Sequence, residues 1–396
     1  MSRASTSPAA RRGGSGGLSE LLEGKRICVC GGSGGVGKTT TSAAVALGMA
    51  ARGAKVAVVT IDPAKRLANA LGLQELENEP RRIEPERLAG ALEMRGELWA
   101  MTLDPKRTFD ELIDRIAPDP ERAQEIKANR VYGELSTAVS GSQEFTAVAK
   151  LYELDRDGDF DLLVLDTPPS RNALDFLDAP GRLTSFLEGR ALKAFLRPTG
   201  VGMRVLGRGA APFLGAMRKV TGMDLLTDLS TFFSLLGDMT DDFGERAAQV
   251  EKLLRAPTTA FVLVTSAQQA AIEEAIWFRR TLSESGLPFA GVIVNRVHHD
   301  LLGEAEPDVR GALDKLTGLD HDLAQRVAAN FAQYHLLARR DRRGVQRLRD
   351  ELGDYPLLLV PYLDDDIHDV EGLLRLHRFL FASDQERERL IAGVVA

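Results

Sequence analysis

The stretch CGGSGGVGKTTTS, residues 30–42, decides the fold. It stands between a short apolar run, RICVCGG, and an Ala-rich segment, TTTSAAVALGMAARG, that ends at Gly53. Strand, glycine loop and helix is the order such a pattern predicts. Inside it, Gly32-x-x-x-x-Gly37-Lys38-Thr39 has the spacing of a phosphate-binding loop, or P-loop. Glycines let successive backbone N–H groups converge on phosphate oxygens. The helix N-terminus adds its partial positive charge. The candidate nucleotide contacts are therefore Gly32, Ser33, Gly34, Gly35, Val36, Gly37, Lys38, Thr39 and Thr40. Lys38 reaches the β- and γ-phosphates in this reading, and the Thr39 hydroxyl binds Mg²⁺.

Working outward, AKVAVVTID, GELWAMTLD, FDLLVLD, TTAFVLVTS, LPFAGVIVN and YPLLLVP are further apolar runs, with helical patterns between most of them. Such alternation predicts an α/β fold, a P-loop NTPase with a mostly parallel sheet covered by helices on both faces. Two long helical stretches, 105–157 and 172–256, interrupt it and predict an inserted helical subdomain. The core would then comprise 18–104, 158–171 and 257–396, with 1–17 a disordered tail rich in Ser, Ala, Gly and Arg. In the second stretch Leu229, Phe232, Phe233, Leu236, Met239, Phe243, Ala247, Val250 and Leu254 step at three and four, one face of a helix. Four methionines, Met203, Met217, Met223 and Met239, fall there too, and the segment 197–219 is rich in Gly and basic residues yet apolar. Methionines suit a groove that must accept varied apolar shapes, and equally the interior of a helical subdomain.

The 396 residues are 44% apolar and 27% charged, as in ordinary soluble proteins, and the net charge of −7 argues against a nucleic-acid partner. No apolar run is long enough for a transmembrane helix or a signal peptide. Cys28 and Cys30 share one face of a strand and read as small buried residues; alone they cannot form a four-ligand zinc site. A cytoplasmic protein is expected.

Two carboxylates complete the chemistry. Asp166 ends FDLLVLD, the Walker-B type of position, where a carboxylate holds Mg²⁺ directly or through water. Asp62 ends the second strand, at the sheet edge where open α/β sheets bind ligands. Asp62 also reads as a helix N-cap before PAKRLANALG, and the two roles are compatible.

At these residues the chain resembles the ArsA-type ATPases, a deviant-Walker-A family that includes the arsenite-pump ATPase and the eukaryotic ATPase targeting tail-anchored membrane proteins. GGVGKTTTS resembles the family's loop, TIDPAKRLANALG its switch I and LDTPPSRNALDFL its switch II. IVNRV is similar to the segment whose Asn reads adenine, which implies Asn295, and LVPYLDDDIHDVEGL to the last strand and adenine-side loop, which implies Pro361. The resemblance spans residues 25–380. It implies a Mg²⁺-dependent ATPase with Asp62 and Lys38 catalytic, Asp62 positioning or deprotonating the attacking water. It further implies a dimer whose helical part opens and closes with nucleotide as a chaperone-like or targeting device for a hydrophobic or membrane-protein client. A ParA- or MinD-like positioning switch, or a weakly hydrolysing subunit of a hetero-oligomer, is the alternative.

The chain departs from the family pattern at four places. It has one ATPase half and no metalloid-binding cysteines. It lacks the Cys-x-x-Cys pair that clamps the eukaryotic dimer through zinc. Arg171 and Asn172 stand where Gly-His is usual. The largest departure is Ser33, where the family carries a lysine that reaches the partner's phosphates. Three explanations stay open: a lysine-bearing partner subunit (the chain forming a homodimer or a heterodimer with such a paralogue), substitution by Lys65, Arg66 or Arg171, or slow hydrolysis in a protein that is mainly a nucleotide switch.

Overall fold

Every central strand sends alternate side chains into two separate cores, so the apolar runs are continuous rather than alternating. The computed structural model describes residues 17–62, 65–88, 92–133, 142–167, 231–232, 234–235, 239–299, 320–363 and 366–395. Residues 1–16 of the expected tail, Arg171, Asn172 and the methionines 203, 217 and 223 lie outside the described residues.

The sheet has eight strands, β1 (Ile27–Gly31), β2 (Lys55–Thr60), β3 (Arg81–Arg82), β4 (Glu97–Thr102), β5 (Leu162–Asp166), β6 (Thr259–Ser266), β7 (Phe289–Val297) and β8 (Leu357–Pro361). Their order is β3-β4-β2-β5-β1-β6-β7-β8, and all pairings are parallel except β3 with β4. Seven strands coincide with the apolar runs. The eighth, β3, is an exposed Arg-Arg pair at the sheet edge that carries no hydrophobic pattern to find.

Helices cover both faces. On one, α2 (Lys38–Ala51) and α10 (Val370–Phe381) pack over Cys28, Cys30, Val56, Val58, Leu162, Val164, Ala260 and Val262. The two cysteines are free, buried and on the same face, as expected. On the other, α6 (Ser142–Asp157), α7 (Thr240–Arg255), α8 (Gln269–Glu284) and α9 (His321–Leu352) pack over Val29, Ala57, Val59, Leu163, Leu165, Leu263 and Val294. Short helices α1 (Leu18–Leu21) and α3 (Arg66–Ala70) and the last helix, α11 (Asp384–Val395), complete this layer arrangement.

A third apolar cluster lies away from the sheet. It joins Leu112, Ile113 and Ile116 of α4 (Pro105–Ile116) and Ala123 and Ile126 of α5 (Pro120–Ala128) to Tyr132, Phe232, Leu235, Met239 and Ala247. The face read from the sequence divides here: Phe232, Met239 and Ala247 enter this cluster, while Val250 and Leu254 of the same stretch enter the sheet core. Of that face, Leu229, Phe233 and Leu236 lie outside the described residues.

Candidate active site

The loop after β1 is shaped by how little room the neighbouring strand leaves it. Gly32 has φ 145°, and a Cβ there would stand 1.9 Å from the Val264 carbonyl oxygen of β6. No side chain is tolerated at that position. Val36 is buried against Val264 and Ala271, which pins the far side of the loop, while Gly34 and Gly35 form its exposed tip. Gly37, with φ 92°, is the N-cap from which α2 starts. Lys38 is 6% exposed, and its ammonium crosses the loop to donate to the Ser33 carbonyl at 2.7 Å. Burial lowers its pKa, and the nearby Asp166 charge opposes that shift.

Strand register brings the rest to the same edge. Asp166 is level with Cys30 of β1 and with Thr60 of β2. Its Oδ2 accepts from the Thr39 hydroxyl at 2.7 Å and the Thr60 hydroxyl at 2.9 Å, while Oδ1 is buried with no hydrogen-bond partner. Burial pushes the carboxyl up to about 6, against the two hydroxyls and Lys38. A carboxylate oxygen with spare lone pairs beside a threonine hydroxyl suits Mg²⁺, which takes one or two carboxylates and completes its shell with phosphate and water. Among the described residues no group of three His, Cys, Asp or Glu gathers to hold a metal. Thr39 and Asp166 therefore fit a cation that arrives with a nucleotide.

Thr60 also ties in Asp62, whose backbone N–H donates to the Thr60 hydroxyl at 3.2 Å. The Asp62 carboxylate faces Arg66 at 3.7 Å. The helix that follows is capped by Lys65, with φ 53°, so Asp62 is not its N-cap. Of the cations considered as replacements for the lysine missing at position 33, Lys65 pairs with Glu75 at 3.3 Å and Arg66 with Asp62.

Beside the loop lies a cavity of about 320 Å³ lined by Gly37, Thr40, Arg66, Asn295, Pro361 and Tyr362, among others. Both residues expected on the adenine side, Asn295 and Pro361, thus line one cavity with the P-loop. Asn295 also does something the sequence did not disclose. Its amide donates to the Val36 carbonyl at 3.0 Å and so fastens the P-loop to β7. The next residue, Arg296, has φ 57° where the β7–β8 register shifts, a bulge that re-aims the chain. Its guanidinium approaches the Gly35 carbonyl at 3.3 Å and Asp366 at 3.9 Å. The motif IVNRV contains Arg296, but no spacing rule marked it as a P-loop contact.

Residues 25–350 match the family described as anion-transporting ATPases, ArsA_ATPase. The chain belongs to the ArsA family of ATPases. As a member of that family it is an ATP-hydrolysing enzyme. It is similar to a putative arsenical pump-driving ATPase 1 of Aquifex aeolicus, 23% identical across 91% of this chain and 79% of that protein. It is also similar to proteins named ATPase GET3 from Malassezia globosa and Mycosarcoma maydis. These are 28% and 29% identical over 54% and 52% of this chain, and the matches span 62% and 54% of their own lengths. Its sequence contains one P-loop motif, and among its described residues no helix is long and apolar enough to cross a membrane.

Proposed function

We propose that this ArsA-family chain is a Mg²⁺-dependent ATPase that couples its nucleotide state to the helical part and there handles an apolar protein segment, acting as a dimer. The observation that carries the catalytic half is the Thr39–Asp166–Thr60 cluster, with Lys38 and Asp62 at the same sheet edge. Lys38 would neutralise β- and γ-phosphate charge, and the P-loop N–H groups would hold the phosphates. Thr39 and Asp166 would hold the cation, which supplies charge neutralisation of the developing transition state. Asp62 would accept a hydrogen bond from the attacking water and orient it in line. Asn295 and Pro361 would bound the adenine, with Asn295 also fixing the loop through Val36.

The coupling half is supported by the third apolar cluster, which sits outside the two sheet cores, and by the GET3 similarity. Residues 105–157 and 172–256 form the helical subdomain in this reading, and α6 joins it to the sheet, since Ala149 faces the helical cluster while Val148 and Leu151 face the sheet. The test is amide exchange of the full chain with and without ATP and Mg²⁺, together with ATP turnover measured with and without co-isolated proteins. Nucleotide-dependent exchange in residues 180–245, and turnover altered by a partner, are the expected results. Uniform protection independent of nucleotide would mean a closed core and would end the client-groove reading.

A further inference from the structure

We infer, on the reading that nucleotide state is coupled to the helical part, that a buried cluster centred on Lys150 is the joint that carries the coupling. The cluster clasps the segment 65–79, which begins at the nucleotide cavity, to the point where the chain leaves the sheet for α4. Lys150 is in this sense a positioning residue.

One end of the segment lies at the cavity beside the P-loop, where Arg66, Asn69 and Ala70 form part of the wall. From there Leu67, Leu71, Leu73 and Leu76 are buried in the sheet core under α2. Close packing makes α3 and the turn after it one piece that passes on a displacement. A nucleotide that fills the cavity therefore bears on a packed body rather than on a free loop.

The other end is held at the root of the helical part. The Glu77 carbonyl accepts the Thr102 N–H at 2.9 Å. Asn78 is 4% exposed, and its Oδ1 accepts the Asp104 N–H at 2.8 Å and the Thr108 hydroxyl at 3.1 Å. β4 ends at Thr102, and α4 starts at Pro105 with Asp104 as its N-cap. Residues 77 and 78 thus grip both sides of the exit from the sheet.

Lys150 closes the joint from α6. It is 4% exposed, and its Nζ lies 3.3 Å from Glu111 of α4, 3.4 Å from Glu79 and 3.9 Å from Glu153. Glu111 also accepts from the Asn78 amide at 3.3 Å. One ammonium touches the segment, α4 and its own helix at once. It sits where α6 passes from the sheet core, entered by Val148 and Leu151, to the helical cluster, entered by Ala149.

As a source of stability such a cluster is weak, since well-packed apolar side chains of similar volume do as well or better. What its charges supply is a choice of partners. Glu111 keeps Arg107 at 3.1 Å and Glu153 keeps Arg115 at 2.9 Å, so Lys150 can let go without stranding either carboxylate. A joint that opens and re-forms needs that property. The competing reading is a rigid brace, in which the same contacts hold α4 still in every nucleotide state.

Amide exchange of the full chain at residues 105–128, with and without ATP and Mg²⁺, separates the two in the parent, Lys150→Met and Glu79→Ala. Nucleotide is expected to change exchange there by about fivefold or more in the parent. Each variant should cut that change to about twofold or less while ATP affinity, by calorimetry, stays within about threefold. The double variant should do no more than either alone, because both break one link. The Glu79 side chain is 59% exposed, so Glu79→Ala decides the matter if Lys150→Met fails to fold. A parental response in either folded variant would overturn the joint. So would exchange raised equally with and without nucleotide, the mark of a brace, or a loss of ATP affinity, the mark of a support for the nucleotide site. A parent that responds within 180–245 but not within 105–128 would end the joint and leave the proposed function standing. No response in either region would end both.

Discussion

At the scale of single residues, the site depends on groups held where solvent would not leave them. Lys38 is buried with its ammonium on a backbone carbonyl, so its charge is prepaid in orientation. Lys38→Ala is expected to weaken ATP binding severely, measured by titration calorimetry, because the cation facing the phosphates is lost. Asp62 is different: its backbone is held by Thr60 and its carboxylate faces Arg66. Asp62→Asn should leave ATP affinity within a few-fold of the parent and cut turnover by a factor of about 10² or more. Parental turnover in that variant would remove Asp62 from the catalytic set. The Ser33 carbonyl, not its side chain, is what Lys38 uses, so the departure at position 33 leaves the loop's own geometry intact. A serine at position 33, where the resemblance leads one to expect lysine, therefore need not disturb the loop.

At the scale of elements, the contact of α2 with α10 anchors the helix that follows the P-loop. Gly48 lets the two approach: a Cβ there would lie 2.1 Å from the Phe381 ring and 2.6 Å from His377. Gly48→Ala should cost about 1–3 kcal/mol of unfolding free energy, read in urea, because Phe381 must leave its place under Arg52. The same contact sets a pH dependence. His377 stacks on Phe381, and its Nε2 is 3.2 Å from the Arg52 guanidinium. Burial, then Arg52 and Arg378, push its pKa down to about 4. In the unfolded chain it titrates near its ordinary value of about 6.5. As pH falls from 6.5 toward 4, only the unfolded chain takes up the proton, so stability is lost across that window, by at most about 3 kcal/mol. His377→Gln should remove this share of the loss, seen as a smaller drop in urea midpoint between pH 7 and pH 4.5 than the parent shows. An equal drop would mean the imidazole is not held neutral in the fold.

At the scale of the whole molecule, the sheet order places β1 between β5 and β6, with β2 one strand further on and β7 on the other side. Loops far apart in sequence therefore meet around one P-loop: Asp62 and Asp166 on one flank, Asn295 and Arg296 on the other. A dimer facing two such loops across its interface would bring no lysine from position 33. Ser33→Lys is expected to raise ATP turnover of the isolated chain, since a trans-acting cation in phosphoryl transfer is worth roughly 10³–10⁵ in rate. Steady-state turnover against concentration measures it, and the change at an only partly buried loop position should cost little stability. Unchanged turnover in Ser33→Lys, with turnover abolished in Lys65→Ala or Arg171→Ala, would show that this chain supplies its own charge.

The amino-acid sequence by itself determined the seven long strands, the P-loop, its Lys-Thr pair and the two aspartates, because each is written locally. Apolar runs record burial on both faces, and glycine spacing records backbone approach to an anion. It also led to Asn295 and Pro361, through the resemblance of their motifs. What it did not contain was the reverse side of those contacts. That Asn295 ties down Val36, that Arg296 leans on the Gly35 carbonyl and that His298, Asp341 and Tyr362 meet follow from a register shift in β7 and from a 32-residue helix laid across it. These pairs are 43 to 261 residues apart or turn on a single bulge. No periodicity reports which long-range neighbours close packing will bring within 3 Å, so tertiary structure alone decided them.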